Sequence, residues 1–143
     1  MQYKGSCHCG SIEFLVDTDL LKVVQCNCSI CKRKFAKMNL LPKDSLKLTK
    51  GENNLGIYQF GTNVAKHFFC KTCGIYTHHQ RKSDPNGIGV NLGCLDELDS
   101  FTIDSELLNN KLPSITCAPD AADGLYPAPG IATAIYLPSV AKV

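Results

Sequence analysis

The stretch Cys26-Asn27-Cys28-Ser29-Ile30-Cys31 places three cysteines within six residues, and the basic run Lys32-Arg33-Lys34 follows it directly. Three thiolates this close together in a chain can bind one zinc ion. Structural zinc sites are closed by four protein ligands, whereas a site with three protein ligands keeps a position for water or substrate. The stretch therefore predicts an open, reactive zinc site.

Length and composition fit one domain that is not secreted. The chain has 143 residues and a net charge of +2, and we expect a single zinc-binding domain over residues 1–143. The sequence shows no signal peptide and no run of the ~20 apolar residues that a membrane span needs. Its basic residues are dispersed outside residues 32–34, which argues against a nucleic-acid partner. We expect a cytoplasmic protein with no membrane partner.

The cysteines are better explained as metal ligands than as disulfides, because their number, nine, is odd. Cysteines one residue apart also rarely reach relaxed disulfide geometry. The segment Cys70-Lys71-Thr72-Cys73-Gly74 has the two-residue spacer and trailing glycine of a zinc knuckle. Two pairs from distant loops predict a closed, structural zinc site formed by Cys7, Cys9, Cys70 and Cys73. The open zinc site is then left with Cys26, Cys28 and Cys31.

Two alternatives to this division remain. A histidine, His67, His78 or His79, would close the three-cysteine site and make it a second structural site. Cys94 is the other candidate for completing it. Otherwise Cys94 and Cys117 lie outside every cluster and receive no role, because a buried cysteine commonly acts as a small apolar residue.

Alternation of apolar and polar residues predicts an all-β domain of several short antiparallel strands. We expect strands near residues 12–16, 20–25, 65–69, 75–79, 88–92 and 101–103, and a hairpin formed by residues 46–49 and 55–60. From residue 114 the chain is rich in Ala, Pro and Gly, and we expect it to pack irregularly over the sheets.

One short helix is predicted after the cysteine stretch. Ser29 is a candidate N-cap, and neither Gly nor Pro occurs from Ile30 until Pro42. Cys31, Phe35 and Met38 would share one face of this helix because they are spaced by four and three residues.

The charges around this helix suggest two effects. The positive end of the helix and the neighbouring basic residues are expected to lower the pKa of Cys31. Lys32 and Arg33 are candidates for binding an anionic substrate. The alternative is that the basic run is only the solvated face of the helix.

Three cysteine motifs resemble the glutathione-dependent formaldehyde-activating enzyme family in type, order and spacing. They are Gly5-Ser6-Cys7-His8-Cys9-Gly10, Cys26-Asn27-Cys28-Ser29-Ile30-Cys31 and His67-Phe68-Phe69-Cys70-Lys71-Thr72-Cys73-Gly74. The later segment Asn91-Leu92-Gly93-Cys94-Leu95-Asp96 also resembles that family. Residues 26–34 and 67–96 are similar, in addition, to the zinc domain of centromere protein V.

The resemblance implies a β-tent fold with two zinc ions. It matches Cys7, Cys9, Cys70 and Cys73 to the structural ligands, and Cys26, Cys28 and Cys31 to the ligands of the catalytic site. One position departs from the family: Asn27 stands where members commonly have His. This change keeps the ligands and bears on the identity of the substrate.

The activity implied by the resemblance is that of a carbon–sulfur lyase. A small thiol such as glutathione would bind at the open zinc and add to formaldehyde or a related aldehyde, giving S-hydroxymethylglutathione. A second hypothesis is a non-catalytic binding module for protein or nucleic acid, with both zinc ions structural. A third, methionine sulfoxide reduction, needs a redox cysteine with a resolving partner, and nothing around Cys94 or Cys117 supports one.

Overall fold

The computed structural model describes residues 1–110, which contain ten strands, one α-helix and three short 3-10 helices. The strands are β1 (Gln2–Ser6), β2 (Glu13–Asp17), β3 (Val23–Cys26), β4 (Met38–Pro42), β5 (Leu46–Lys50), β6 (Leu55–Tyr58), β7 (Lys66–Cys70), β8 (Tyr76–Gln80), β9 (Gly87–Asn91) and β10 (Glu106–Leu108). The helix is α1 (Cys31–Lys34), and the 3-10 turns are Lys43–Ser45, Glu52–Asn54 and Leu92–Cys94.

The strands form two sheets. The smaller has the order β1-β2-β5, and the larger has the order β10-β3-β4-β9-β8-β7-β6. All pairs are antiparallel except β10 with β3, which is parallel. This confirms the predicted all-β class with short antiparallel strands and one short helix after the cysteine stretch.

The main core joins the two sheets. Phe14 and Val16 of β2 are fully buried, as is Ile12 just before the strand, because alternate residues of a strand point to the same face. Val90 and Leu92, from the end of β9 and the turn after it, belong to the same cluster. Burying side chains of this size contributes roughly 1.5–3 kcal/mol each.

The predicted hairpin of residues 46–49 and 55–60 is wrong. Both strands exist, but β5 pairs with β2 and β6 pairs with β7. The connection between them passes from one sheet to the other through Gly51, whose φ of +84° suits glycine. β5 therefore takes a partner that is distant in sequence and β6 pairs with the strand that follows it, and the turn-rich connection between β5 and β6 does not reveal either pairing.

The helix is shorter than expected and ends at Phe35. Phe35 adopts the left-handed conformation with a φ of 49°, and its amide donates to the carbonyl of Cys31. Phe35 is 83% exposed and Met38 begins β4, so the predicted helical face of Cys31, Phe35 and Met38 is wrong. Ser29 is not the N-cap either, since Ile30 takes that position without a side-chain cap. No helix in residues 1–110 is long and apolar enough to cross a membrane.

Most of the other predicted strands are confirmed, with small shifts. β2, β7, β8 and β9 lie at or within one or two residues of the expected positions, and β3 begins later than predicted. The expected strand at residues 101–103 is wrong: Asp99 accepts hydrogen bonds from the amides of Phe101 and Thr102 and forms a turn there. β1, β4 and β10 were missed. The segment from residue 114, including Cys117, lies outside the described residues.

Buried histidines make the stability of this fold depend on pH, and His78 is the one that lies in the core. His78 is 7% exposed, and its ring stacks on Phe68 with the centroids 4.4 Å apart. Burial lowers the pKa of His78 from 6.5 to about 4. Between these values the unfolded chain binds a proton that the folded chain does not, so stability falls as the pH decreases from about 7 to about 4.

We therefore predict that His78→Phe, which keeps the stacking and removes the titration, flattens this dependence. The loss of unfolding free energy between pH 7 and pH 5 should be smaller in the variant by about 2 kcal/mol. Denaturant unfolding of the two metal-loaded proteins across this range measures the difference. Equal pH dependence in both proteins would contradict the assignment.

Candidate functional site

Four cysteines from two distant loops meet at one point. Their sulfur atoms all lie within 4.8 Å of one another, and the residues are Cys7, Cys9, Cys70 and Cys73. Cys9 Sγ is 3.6 Å from Cys7 Sγ and 3.7 Å from Cys70 Sγ. A tetrahedral zinc site with Zn–S bonds of about 2.3 Å places its sulfurs about 3.8 Å apart. The donor set and its spacing therefore fit a closed zinc site.

Backbone hydrogen bonds shape both loops of this site. The amide of Ile12 donates to Cys7 Sγ at 3.3 Å, and the amide of Gly74 donates to the carbonyl of Cys70 at 2.8 Å. Gly74 has a φ of +75°, which lets the knuckle turn back so that Cys73 faces the same point as Cys70. Asn54 Nδ2 also lies 3.5 Å from Cys70 Sγ. Such outer contacts orient the ligands of a metal.

The protonation of these thiols is uneven without a cation. Burial raises the pKa of Cys7 to about 11, while hydrogen bonding to Ser11 lowers the pKa of Cys9 to about 6. Neighbouring thiolates repel one another, so the four cannot ionise together without a positive charge between them. A divalent cation at this point resolves that conflict.

The other three clustered cysteines also meet. Cys26, Cys28 and Cys31 have sulfur atoms within 4.8 Å of one another. Cys26 ends β3, Cys28 lies in the following loop and Cys31 begins α1. The amide of Cys28 and the side-chain amide of Asn110 approach Cys26 Sγ at 3.4 and 3.5 Å. Among residues 1–110, no further His, Cys, Asp or Glu joins these three sulfurs, so the described ligand set has one position open.

The three candidate histidines lie elsewhere. His78 is in the core, where its Nδ1 hydrogen bonds with Thr77 Oγ1 at 2.9 Å. His67 and His79 stack on each other with centroids 5.6 Å apart and face the cavity beside the cysteines. None of the three belongs to the sulfur cluster in the described part of the chain. The alternative of a site closed by histidine is therefore not supported.

Cys94 does not complete the cluster either. It is buried, and its sulfur donates to the carbonyl of Tyr76 at 3.5 Å. Burial raises its pKa to about 12, which is the behaviour of a small core residue. Cys117, the remaining cysteine, lies outside the described residues.

The expected lowering of the Cys31 pKa is wrong. Hydrogen bonding within the cluster lowers the pKa of Cys28 to about 5, and the same bond, together with burial, raises the pKa of Cys31. The one-turn helix offers too little dipole to compete with an adjacent thiolate. Without a metal, the two thiols therefore do not ionise together.

A cavity of about 640 Å³ adjoins the three cysteines. This volume falls in the range of small-molecule sites. Its lining combines sulfur, apolar and basic side chains: Val24, Cys26, Cys28, Ile30, Cys31, Met38, Leu40, Phe60, Gly61, Thr62, Ala65, His67, His79, Arg81, Lys82, Ser83, Leu108 and Asn110. The three-cysteine cluster, which has no fourth protein ligand among residues 1–110, therefore borders a cavity large enough for a small molecule.

Three polar side chains lie close to this site, in roles that the sequence analysis did not assign to them. The ammonium of Lys34 is 3.4 Å from the centroid of the Tyr76 ring, and it is buried without a hydrogen-bond partner among the described residues. Tyr76 Oη hydrogen bonds with His79 Nδ1 at 2.6 Å. Burial lowers the pKa of Lys34 to about 8 and of His79 to about 3, and it raises the pKa of Tyr76. The sequence had marked Lys34 as the last member of the basic run and His79 as a candidate zinc ligand, whereas Tyr76 carried no signal.

Lys32 and Arg33 do not line the cavity. Both are exposed, and Arg33 Nη1 donates to the carbonyl of Ser29 at 2.5 Å. Substrate binding by this pair stays a prediction. The cavity contains two other basic residues, Arg81 and Lys82, from the turn between β8 and β9.

We predict two zinc ions per chain, lost separately in variants. Cys28→Ser should keep one zinc and a folded protein, because the four-sulfur site joins the loops. Cys73→Ser should lose the cooperative unfolding transition, since structural zinc contributes on the order of 10 kcal/mol. Elemental analysis with thermal denaturation measures both effects. Cys94→Ala, a thiol outside both clusters, is the matched control and should keep two ions.

The opposite pattern would contradict this assignment. If Cys28→Ser unfolded and Cys73→Ser stayed folded, the roles of the two sites would be reversed. If Cys94→Ala lost an ion, Cys94 would be a ligand.

Comparison with known proteins agrees with this geometry. The family model described as "Glutathione-dependent formaldehyde-activating enzyme" matches residues 2–110. A crystal structure of a Rhodobacter sphaeroides protein, a Northeast Structural Genomics target, is similar with a TM-score of 0.70 and 41% sequence identity. The match covers 73% of this chain and 99% of that chain. The chain thus belongs to the glutathione-dependent formaldehyde-activating enzyme family.

Proposed function

We propose that the protein adds a small thiol, glutathione or a close analogue, to formaldehyde or a related small aldehyde. The product is an S-hydroxymethyl adduct, and in the reverse direction the enzyme is a carbon–sulfur lyase. The proposal depends on one observation: the three-sulfur cluster adjoins a cavity and has no fourth protein donor in residues 1–110. Family membership supports glutathione and formaldehyde as the reactants.

The second zinc ion would be held by Cys26, Cys28 and Cys31, and the first by the four-sulfur site. A free thiol with a pKa near ~8.5 is mostly protonated at neutral pH. When bound, the second ion would supply Lewis acidity that lowers the pKa of a coordinated thiol, so that the thiol would lose its proton and become a nucleophile.

Lys34 would balance the charge of this site. Three thiolates around a divalent ion leave a net charge of −1, which is costly to keep away from water unless it is paired. Burial lowers the pKa of Lys34 to about 8, and the charges of Cys31 and Cys28 act in the opposite direction. Lys34 is therefore still an ammonium at neutral pH. Its unpartnered position supports this role.

Tyr76 and His79 would position a hydrogen-bond donor for the aldehyde. Burial keeps the phenol protonated and the imidazole neutral. If Tyr76 Oη donates to Nδ1, the imidazole proton lies on Nε2. His79 lines the cavity, so Nε2–H can hydrogen bond to the carbonyl oxygen as negative charge develops there.

The bond changes need no other reactant. The sulfur–carbon bond forms as the thiol sulfur attacks the carbonyl carbon, and the π electrons move to the oxygen. That oxygen then takes up the proton that the thiol released. Thiol plus aldehyde gives the adduct with no net oxidation.

The binding-module hypothesis fits the described residues less well. It requires both sites to be closed by protein, and no fourth ligand stands at the three-sulfur cluster within residues 1–110.

A reducing compartment suits both zinc sites, because their cysteines must stay unoxidised to bind metal. We place the protein in the cytoplasm for this reason.

We predict that the zinc-loaded, full-length protein accelerates the consumption of formaldehyde in the presence of glutathione. Cys28→Ser should reduce the rate to that of the uncatalysed reaction, because it removes a ligand of the open site. Cys94→Ala is the control and should keep the wild-type rate. The measurement is a formaldehyde assay at fixed glutathione. A wild-type rate equal to the uncatalysed one would rule out the proposed reaction.

A further inference from the structure

His67 is a buried polar residue without a hydrogen-bond partner in the described part of the chain. It lies on β7, it is 5% exposed, and it lines the cavity beside the three cysteines. Its Nδ1 is buried and unpartnered, and no hydrogen bond within residues 1–110 reaches its Nε2. His78 and His79, by contrast, both hydrogen bond through Nδ1. Leaving a buried polar group unpaired is destabilising, so native structures rarely keep one that no ligand or water completes.

The ring of His67 is held between two other rings. Phe60 stacks on it with the centroids 5.7 Å apart, and His79 stacks on it with the centroids 5.6 Å apart. Phe60 follows β6 and His79 lies on β8, so these rings contact His67 from the neighbouring strands on either side of β7. The stacking fixes the orientation of the imidazole. Its edge, which carries the nitrogens, is the part that can meet a ligand.

The protonation of His67 follows from its burial. Burial, and after it the charge of Lys34, lowers the pKa of His67 to about 4, so at neutral pH the ring is neutral and has one N–H. Proteins tolerate a buried acceptor without a partner more readily than a buried N–H without one. The proton therefore belongs on Nε2, because Nδ1 is the buried atom. His67 then offers the cavity an Nε2–H donor, as His79 does.

The two histidines face the side of the sheet that ends in the cysteines. His67 pairs with His79 across β7 and β8, and His79 pairs with Gly89 of β9. A Cβ at Gly89 would overlap Cε1 of His79, so the His79 ring leans across β9. In the order of the sheet, this direction leads to β4 and then to β3, which ends at Cys26. The absence of a side chain at Gly89 therefore lets the imidazole pair approach the three-sulfur cluster.

Tyr76 lies between the imidazole pair and the three cysteines. Its ring centroid is 6.2 Å from that of His67 and 6.1 Å from that of His79. Burial raises the pKa of Tyr76, and charge on the clustered cysteines raises it further, so the phenol is within electrostatic reach of the sulfurs. The oxygen of an aldehyde is one bond away from the carbon that a thiol sulfur attacks. Donors beside the cluster are therefore placed to bind that oxygen.

We propose that His67 is a second catalytic hydrogen-bond donor, which shares with His79 the oxygen of the aldehyde. The inference rests on the proposed function and adds a residue to its site. Negative charge develops on this oxygen as the sulfur–carbon bond forms, and two fixed N–H donors stabilise it more than one does. His67 forms no covalent bond, and the proton that the oxygen takes up is still the one that the thiol released.

The test uses His67→Phe in the zinc-loaded, full-length protein, because this change keeps a ring between Phe60 and His79 and removes both nitrogens. In the formaldehyde assay at saturating glutathione, kcat/KM for formaldehyde should fall on the order of 100-fold. The affinity for glutathione, measured by calorimetric titration, and the zinc content should stay at the wild-type values. A donor to the aldehyde oxygen contacts neither the thiol nor the metal.

Two further variants make the test specific. His78→Phe is the matched control, since it makes the same replacement at a buried histidine that does not line the cavity. It should keep the wild-type rate. His67→Gln retains a side-chain N–H donor and should recover part of the rate that His67→Phe loses. Thermal denaturation checks that each variant is folded.

NMR of the protein with isotope-labelled histidine gives a readout that does not depend on turnover. At pH 7 the signals of His67 should be those of a neutral ring with its proton on Nε2. Formaldehyde added to the glutathione-loaded protein should shift the Nε2 signals of His67 and His79 and leave that of His78 in place. A proton on Nδ1 of His67, or an Nε2 signal that does not move, would overturn the inference.

The outcomes separate the two proposals. A wild-type rate in His67→Phe, or an equal loss in His67→Phe and His78→Phe, would overturn the role of His67 and leave the thiol–aldehyde reaction intact. If the wild type itself did not accelerate formaldehyde consumption, the proposed reaction would fall, and the role of His67 with it.

Discussion

The meeting of four sulfur atoms from two distant loops is the constraint on which the rest of the structure depends. Cys7 follows β1 of the smaller sheet, and Cys70 ends β7 of the larger one. Their convergence within 4.8 Å joins the two sheets, which also share the apolar core. A divalent ion is what allows four such thiolates to remain together. The site also holds the turn between β7 and β8, because Cys70 ends β7 and Cys73 lies in that turn.

The second cluster uses the same ligand type for a different purpose. It lies in one loop, between β3 and α1, so it joins no distant parts of the chain. Its three sulfurs adjoin the cavity that also holds His67, His79 and Arg81. These three residues come from β7, β8 and the turn after it, which the four-sulfur site anchors. The four-sulfur site therefore helps to position the side of the cavity formed by His67, His79 and Arg81, which faces the three-sulfur cluster.

The ligand sets were predictable from sequence, whereas the surrounding side chains were not. The cysteines of each motif lie close together in the sequence, so the motifs can be recognised from spacing alone. The predicted division of seven cysteines into a set of four and a set of three agrees with the observed clusters. The end of α1 gave no signal, because Phe35 is not a residue that usually adopts the left-handed conformation. The partners of β5 and β6 depend on tertiary pairing, which outweighs the turn chemistry between them. His79 and Arg81 line the same cavity as the cysteines only because the sheet brings them there, so spacing in the sequence does not reveal Arg81 and suggests only a ligand role for His79.

The coordination of zinc in solution tests the central claim most directly. X-ray absorption on the fully loaded protein reports the average number of sulfur ligands per zinc. One closed and one open site predict about three and a half sulfurs, rising to four when glutathione is added, with no histidine contribution. An average that does not change with glutathione, or a histidine signal before it is added, would contradict an open second site.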